Sequence, residues 1–386
     1  MPLMCGFKER HGRQFCVTDC PASAPCGVFE FARVERPEDE PVPDPHAVDV
    51  AVLDMNHGWP NLGHDSLVHA VMDASCETID ALEGAGLRVR VLSYDVRQSG
   101  VLPEEPGGRF SLYLGTGGPG HIDPRKNDGK APESQGTREN PTWEAPAFRL
   151  FDAIRRHDEA ALLAVCHAFG VLCRWSGAAE PVLRGPAKGK ATGVLENVLA
   201  WPAGEHPWFR RFAELLGPRA RLRVIENRLF DLIPTDTRRP AWAVPIGYET
   251  LGVGGPPGDA VTMIEFARDR GGIMPRMFAV NHHPEIVDRV RQVMILNQKR
   301  DRGEVTEEWY EERLSTLTRQ FPDEDVDQQL HLTSDFTLLG PLRFHLFRAI
   351  RRRMEALGRA HGFHEDRVLH SMLGEGAGAV RAAEVF

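Results

Sequence analysis

The chain has 386 residues, 42% of them hydrophobic and 26% charged, an ordinary globular composition. A formal charge of −9 and a pI near 6.0 argue against a general nucleic-acid binder and leave small molecules or proteins as partners. No apolar run reaches the ~18 residues of a membrane span, and Met1 to His11 lack the apolar core of a secretory signal, so a cytoplasmic protein with no membrane partner is expected.

Residues 1–47 read as a Cys-rich N-terminal extension. Of seven cysteines, Cys5, Cys16, Cys20 and Cys26 fall here, and Cys76, Cys166 and Cys173 are scattered. An odd count in a cytosolic chain argues against a disulfide framework. With His11, the four N-terminal thiols form a candidate zinc set, but no paired CxxC is present. The alternative is an extension with reduced thiols. The acidic, Pro-rich stretch from Pro37 to Pro45 reads as a linker.

A strand–helix alternation follows. Val48 to Met55 is a short apolar run, and residues 65–84 carry apolar side chains at helical spacing, closed by Gly84 and Gly86. Leu87–Tyr94 and Phe110–Leu114 are predicted strands. Gly115, Gly117 and Gly120 then formally fit G-x-G-x-x-G. The dinucleotide fingerprint needs a helix at once, and Pro119, Asp123, Pro124 and the polar run to Glu139 prevent one, so no cofactor is expected. A loop of backbone N–H donors, stiffened by Pro119 and able to hold an oxyanion, is the better use. Residues 125–142 read as a surface loop and 146–157 as a helix.

Ala160 to Val165 has the character of a buried strand. It stops at Cys166, and Phe169, Leu172 and Cys173 follow at helical spacing. A strand that ends on a nucleophile and turns into a helix is a nucleophile elbow, and the helix N-terminus favours a thiolate. Alone, Cys166 would read as a small core hydrophobe; partners elsewhere decide otherwise. Short strands with turns over 178–195, a helix around Phe209–Leu216, and strands at Arg221–Ile225, Arg228–Ile233, Ala241–Ile246 and Val261–Phe266 come next. Met277–Val280 is strand-like and leads into Asn281, His282, His283, Pro284 and Glu285. A carboxylate two residues after a histidine can orient its ring and stabilise its imidazolium, which a thiol nucleophile needs from its base. Strands alternating with helices imply a parallel sheet covered on both faces, with ligands beyond the strands' carboxyl ends.

Residues 296–386 read as a helical C-terminal extension, with helices over 304–320 and 341–360. In the second, Phe347, Ile350, Met354 and Leu357 form a stripe flanked by Arg348, Arg351, Arg352, Arg353 and Arg359. Packing the stripe on the domain with the arginines in water is preferred to docking on a partner or membrane surface. The region is open to capping a site or forming a homodimer face, and Gly374 to Gly378 reads as flexible.

Three stretches together resemble the class I glutamine amidotransferase domain over roughly 48–290. They are Gly117-Gly118-Pro119-Gly120 for its Gly-Gly-Pro-Gly loop, Ala164-Val165-Cys166-His167-Ala168 for its Gly-x-Cys-x-Gly elbow, and His283-Pro284-Glu285 for its His-Pro-Glu ending. The resemblance implies a flavodoxin-like parallel sheet flanked by helices over 48–295. It implies Cys166 as nucleophile, His283 as base and then acid, Glu285 as orienter, and the N–H groups of Gly118 and His167 as the oxyanion hole. Gly117, Phe169 and His282 fall at substrate-binding positions. It further implies an amidohydrolase that forms a thioester on a small amide, the side chain of glutamine, and passes ammonia to a separate synthetase or transferase. The sequence departs from the family in its two elbow alanines, in Asn281-His282 where Gln-Phe is usual, and in Ala168-Phe169-Gly170 where Gly-His-Gln is usual. The same fold and triad serve acyltransferases and γ-glutamyl or peptide hydrolases, and a non-catalytic binding member is a third reading.

Overall fold

The computed structural model describes residues 5–10, 13–18, 27–185, 189–235, 238–249, 260–319, 324–359, 363 and 366–373. Strand β1 (Cys5–Arg10) pairs antiparallel with β2 (Arg13–Thr18), and β2 with β3 (Phe29–Val34). The apolar run at Val48 becomes β4 (Ala47–Asp54), buried along its length. Helix α1 (Leu62–Cys76) starts at Asn61, whose side chain accepts from the Gly63 and His64 N–H groups. The single helix expected over 65–84 is two, because α2 (Ile79–Ala85) begins afresh after Glu77 and Thr78. Hydroxyls end the first: Ser75 Oγ donates to Val71 O at 2.7 Å and Thr78 Oγ1 to Ser75 O at 3.0 Å, competing with helical bonding.

Next come β5 (Arg88–Asp95), α3 (Val96–Ser99), β6 (Phe110–Gly115), α4 (Glu144–Arg156), β7 (Ala161–Val165) and α5 (His167–Ser176). The chain continues through β8 (Ala179–Leu183), β9 (Ala191–Leu199), α6 (Trp201–Glu205), α7 (Phe209–Leu216), β10 (Arg221–Arg228) and β11 (Phe230–Pro234). It then forms β12 (Val244–Glu249), β13 (Ala260–Arg268) and β14 (Pro275–Val280). The helical tail is α8 (Arg289–Asp301), α9 (Glu307–Arg319), α10 (Glu324–Ser334), a π-helical turn at Asp335–Leu339, α11 (Gly340–Ala356) and α12 (Asp366–Leu373).

One sheet runs in the order β1-β2-β3-β5-β4-β6-β7-β14-β13-β12-β9-β10, with β8 and β11 as a separate pair. From β3 to β14 neighbours are parallel; β13, β12, β9 and β10 extend it antiparallel. The protein is thus an α/β fold built on a sheet whose centre, β3 to β14, is parallel, extended antiparallel at both edges and flanked by helices. Alternate side chains of each strand enter opposite cores. Val50, Val52, Leu112, Leu114 and Leu163 meet Leu67 and Val71 of α1 and Leu346 and Ile350 of α11. Ala51, Leu53, Tyr113, Leu162 and Ala164 meet Leu150 and Phe151 of α4 and Leu172 of α5.

Two stretches read as extensions take part in this build. Strand β3 lies parallel to β5 inside the sheet, and Glu40 of the Pro-rich stretch accepts from Tyr94 Oη at 2.8 Å. Helix α11 lays its stripe on the sheet, with Ile350 and Met354 buried. Its arginines are not simply left in water: Arg352 pairs with Glu159 at 2.7 Å and Arg348 with the same carboxylate at 3.5 Å. Gly374 to Gly378 lie outside the described residues.

Candidate functional site

Strand β7 stops at Cys166, whose backbone sits at φ +50°, ψ −106°, a conformation that L side chains rarely adopt. Its N–H donates to Val280 O at 2.8 Å, tying the elbow to the end of β14. The Ala168 N–H reaches Thr116 O at 3.2 Å, tying it to the end of β6. Three adjacent strand ends therefore converge, and each carries one of the stretches singled out in the sequence.

After β14 the chain passes Asn281 and His282, and the His283 N–H donates to Ile225 O at 2.8 Å. The Nδ1 of His283 stands 2.7 Å from Glu285 Oε1, with both side chains buried. Burial works against the charged imidazole. The neighbouring Glu285 carboxylate, hydrogen-bonded to it, and the Cys166 thiolate outweigh that and raise its pKa well above the ordinary value. With Nδ1 engaged by Glu285, Nε2 is the nitrogen left for the thiol. Gly117 lies against the pair: a Cβ there would stand 3.1 Å from His283 Cε1 and 3.6 Å from Cys166 Sγ.

The N–H groups of Gly118 and His167 donate to no acceptor among the described residues. A Cβ on Gly118 would collide with the Met55 carbonyl, so only glycine lets the loop lie this close. The loop is fixed from behind by residues that the sequence reading missed. Arg97 donates from Nη1 to Met55 O at 2.7 Å and Pro119 O at 2.8 Å, and pairs with Glu139 through Nε at 2.7 Å, both side chains fully buried. Glu139 also accepts from Asn127 Nδ2 at 2.7 Å and Trp143 Nε1 at 2.8 Å, and Asn127 Oδ1 accepts from the His121 N–H at 2.7 Å. Residues 125–142 are thus a support for this loop rather than a plain surface excursion. Asn127 is buried there and bonds both the N–H and the carbonyl of His121, and Gln135 Oε1 accepts from the Gly120 N–H at 2.9 Å.

The imidazole of His167 is also buried. Burial first, then Arg97 and His121, hold its pKa well below the ordinary value, so it stays neutral. Two residues expected to bind substrate need correction. Phe169 is fully buried in the core under α5, on the helical face it shares with Leu172 and Cys173. His282 is buried, and its Nε2 lies 3.4 Å from Thr337 Oγ1 in the π-helical turn. Burial, then His283 and Arg228, press its pKa to about 3. Neither lines the cavity over Cys166.

That cavity has a volume of 330 Å³. Gly118, Cys166, His167 and His283 line it, together with Trp59, Gln135, Lys190, Arg228 and Phe230 and with Trp309, Glu312 and Arg313 of α9. Among the described residues no cluster of three or more His, Cys, Asp or Glu could hold a metal, and no helix is long and apolar enough to cross a membrane. Of the candidate zinc set, His11, Cys20 and Cys26 lie outside the described residues, and the side chains of Cys5 and Cys16 are likewise not described.

No family model matches the chain, and no curated protein matches it. Among solved structures it is similar to a Thermoplasma acidophilum protein provisionally assigned as one component of a GMP synthase. Identity is 13%, TM-score 0.34, and the match covers 63% of this chain and 89% of that one. It is similar to PurLQS from Thermotoga maritima at 12% identity and TM-score 0.34, covering 61% and 88%. It is also similar to a Bacteroides uniformis protein provisionally described as ThuA-like, at 10% identity and TM-score 0.31, covering 68% and 93%.

Proposed function

We propose that the protein is a cysteine-nucleophile amidohydrolase of the glutamine amidotransferase type, working in the cytoplasm and handing ammonia to a separate acceptor enzyme. One observation carries the reading: a strained Cys166 at a strand end, beside a buried His283 whose far nitrogen is held 2.7 Å from Glu285. His283 takes the thiol proton, and the thiolate attacks the amide carbonyl to form a C–S bond. The oxyanion meets the free N–H groups of Gly118 and His167. Collapse breaks the C–N bond while His283 returns its proton, and ammonia leaves. Water, deprotonated by His283, then attacks the thioester, the C–S bond breaks, and acid and thiol are released.

A second reading shares the nucleophile. With Ala168, Phe169 and Gly170 after the elbow, and Phe169 sealed in the core, a substrate contact of the resembled family is absent. That favours a different acyl donor, as in an acyltransferase or a γ-glutamyl or peptide hydrolase. Intact mass after exposure to a glutamine-mimicking diazoketone separates the two. An adduct on wild type, absent from Cys166→Ala, supports glutamine. No adduct, with Cys166 still alkylated by a haloacetamide, replaces glutamine by another donor. If neither reagent reaches Cys166, the chain is a non-catalytic binding member.

A further inference from the structure

A second cavity, of 370 Å³, adjoins the one over Cys166, and Trp59, Pro60 and Asn61 line both. It opens at the carboxyl ends of β3, β4 and β5, the end at which parallel sheets bind ligands. Asp54 and Asp95 are the last residues of β4 and β5 and face each other in register, each 3% exposed. One cation serves them. Arg33 of β3 pairs with Asp54, with Asp95 through Nη2 at 3.4 Å, and with Glu35 through Nε at 3.5 Å.

The lining as a whole is negative. Lys299 of α8 is shared by Asp65 at 2.8 Å and Glu304 at 3.3 Å. Glu35, Asp54, Asp65, Asp95 and Glu304 thus face only Arg33 and Lys299. His64, with Nδ1 2.8 Å from Asp65 and Nε2 2.8 Å from Ser93 Oγ, still leaves two negative charges in excess when it is counted as charged. Burial raises the Asp95 pKa, Arg33 pulls against that, and Asp54 pushes with it. A second, independent observation has the same sign. Asn56 lines the cavity, is 2% exposed, and donates from Nδ2 to Asp54 Oδ1 at 2.5 Å. That bond orients the amide and leaves Asn56 Oδ1 buried with no donor. An orphaned acceptor beside surplus carboxylates calls for a ligand that donates hydrogen bonds and carries positive charge.

We infer that this second cavity is a binding site for an organic cation, a primary ammonium on an alkyl stem. Asp54, Asn56 and Asp95 receive the ammonium, and the half-exposed ring of Trp59 supports the stem and the charge. Among the described residues the carboxylates are not grouped to hold a metal ion, which leaves the organic class. The wall is built before any ligand arrives. The Trp59 N–H donates to Asn56 O at 3.0 Å, and Gly58, at φ +73°, lies so close to Gln98 that a Cβ would stand 2.6 Å from its Oε1. The inference goes beyond the amidohydrolase reading and does not rest on it, because Cys166, His283 and Glu285 take no part in the site.

The test is titration calorimetry of the full chain with n-butylammonium, and with 1-butanol as a neutral probe of nearly equal size. Wild type is expected to bind the cation at low salt and not the alcohol, with the affinity falling as ionic strength rises. Asp95→Asn should weaken binding about tenfold, the scale of a lost hydrogen bond to a charged group. Asparagine can still accept from the Gln98 N–H as Asp95 does, so the start of α3 keeps its cap. Glu35→Gln changes an exposed side chain that packing does not need, and should weaken binding about twofold, which decides the matter if Asp95→Asn fails to fold. Glu312→Gln removes a carboxylate of the cavity over Cys166 and should leave binding unchanged. No heat with n-butylammonium, equal binding of the alcohol, or affinity unmoved by Asp95→Asn and Glu35→Gln overturns the site. Binding lost in Glu312→Gln alone also overturns it, by placing the cation over Cys166.

Discussion

Gly63 is expected to be needed for the chemistry although it touches neither Cys166 nor the cavity. It lies in the first turn of α1, where an alanine would ordinarily stabilise by ~0.4–1 kcal/mol through the unfolded chain. Here a Cβ would stand 2.6 Å from Glu285 Oε1 and 3.0 Å from Asn61 Oδ1. To reach the 3.4 Å of ordinary contact the carboxylate must retreat by about 0.8 Å. The 2.7 Å contact between Oε1 and His283 Nδ1 would then open to about 3.5 Å, outside hydrogen-bonding range. A hydrogen bond between charged partners is worth about 1.5–3 kcal/mol, which corresponds to a loss of roughly 10- to 150-fold in the reactive thiolate–imidazolium pair. The assay is the iodoacetamide alkylation rate of Cys166 in Gly63→Ala, which needs no knowledge of the substrate, with a thermal melt alongside. The expected pattern is slow alkylation with a lowered melting temperature, because the lost hydrogen bond outweighs the alanine's gain. Alkylation within twofold of wild type would show that Glu285 does not govern His283 in the way argued.

Three further outcomes follow from the geometry. Glu139→Gln leaves Arg97 buried without its charge partner and should lower urea-measured stability by about 3–5 kcal/mol; a loss under ~1 kcal/mol would mean that the oxyanion loop is held by other means. Cys166→Gly should be more stable than Cys166→Ala by ~1 kcal/mol or more, the reverse of glycine's usual effect, because φ +50° strains any residue with a Cβ; equal stabilities would remove the strain. Burial lowers the pKa of His282 to about 3 and of His345 to about 4, so the fold holds both neutral while the unfolded chain protonates near 6.5. Their contribution to stability is therefore full above pH 6.5 and declines as pH falls toward 4, with protons taken up on unfolding; denaturation midpoints that stay flat across that window would contradict it.

What could be read from the sequence is what local pattern determines. The strands at Val48, Leu87, Phe110 and Ala160 declare themselves as apolar runs, and the structure places them side by side. Cys166, His283 and Glu285 stand out because each follows a strand and carries a reactive group, and the sheet then brings the strand ends together. The supports are not legible in this way. Arg97, Asn127 and Glu139 are polar residues in segments that look like surface, and only tertiary packing shows that they are buried around the Gly117–Gly120 backbone. Helices α8 and α10 are too polar for a clear stripe, and the contribution of α9 to the cavity depends on a docking angle that periodicity does not encode. Phe169 and His282 were misplaced for a related reason. A motif position gives the neighbourhood of a side chain, whereas helix phase and strand alternation decide which way it faces.

The alanines flanking Cys166 show why motif counting undervalues this site. Taken residue by residue, Ala164 and Ala168 are two losses from a pattern that uses glycine for close approach. In the fold the room for them comes from a glycine on the neighbouring strand. A Cβ on Gly115, at the end of β6, would lie 2.7 Å from Ala168 Cβ and 3.1 Å from Ala164 Cβ, so the space the two methyl groups need is provided by the missing side chain opposite. One glycine on β6 compensates for two alanines around the elbow. The tight turn, the positive φ of Cys166 and the Ala168 bond to Thr116 O all stand with these two methyl groups in place. The quantity maintained is the volume between adjacent strand ends, which a linear motif divides among separate positions and a packed interior sums.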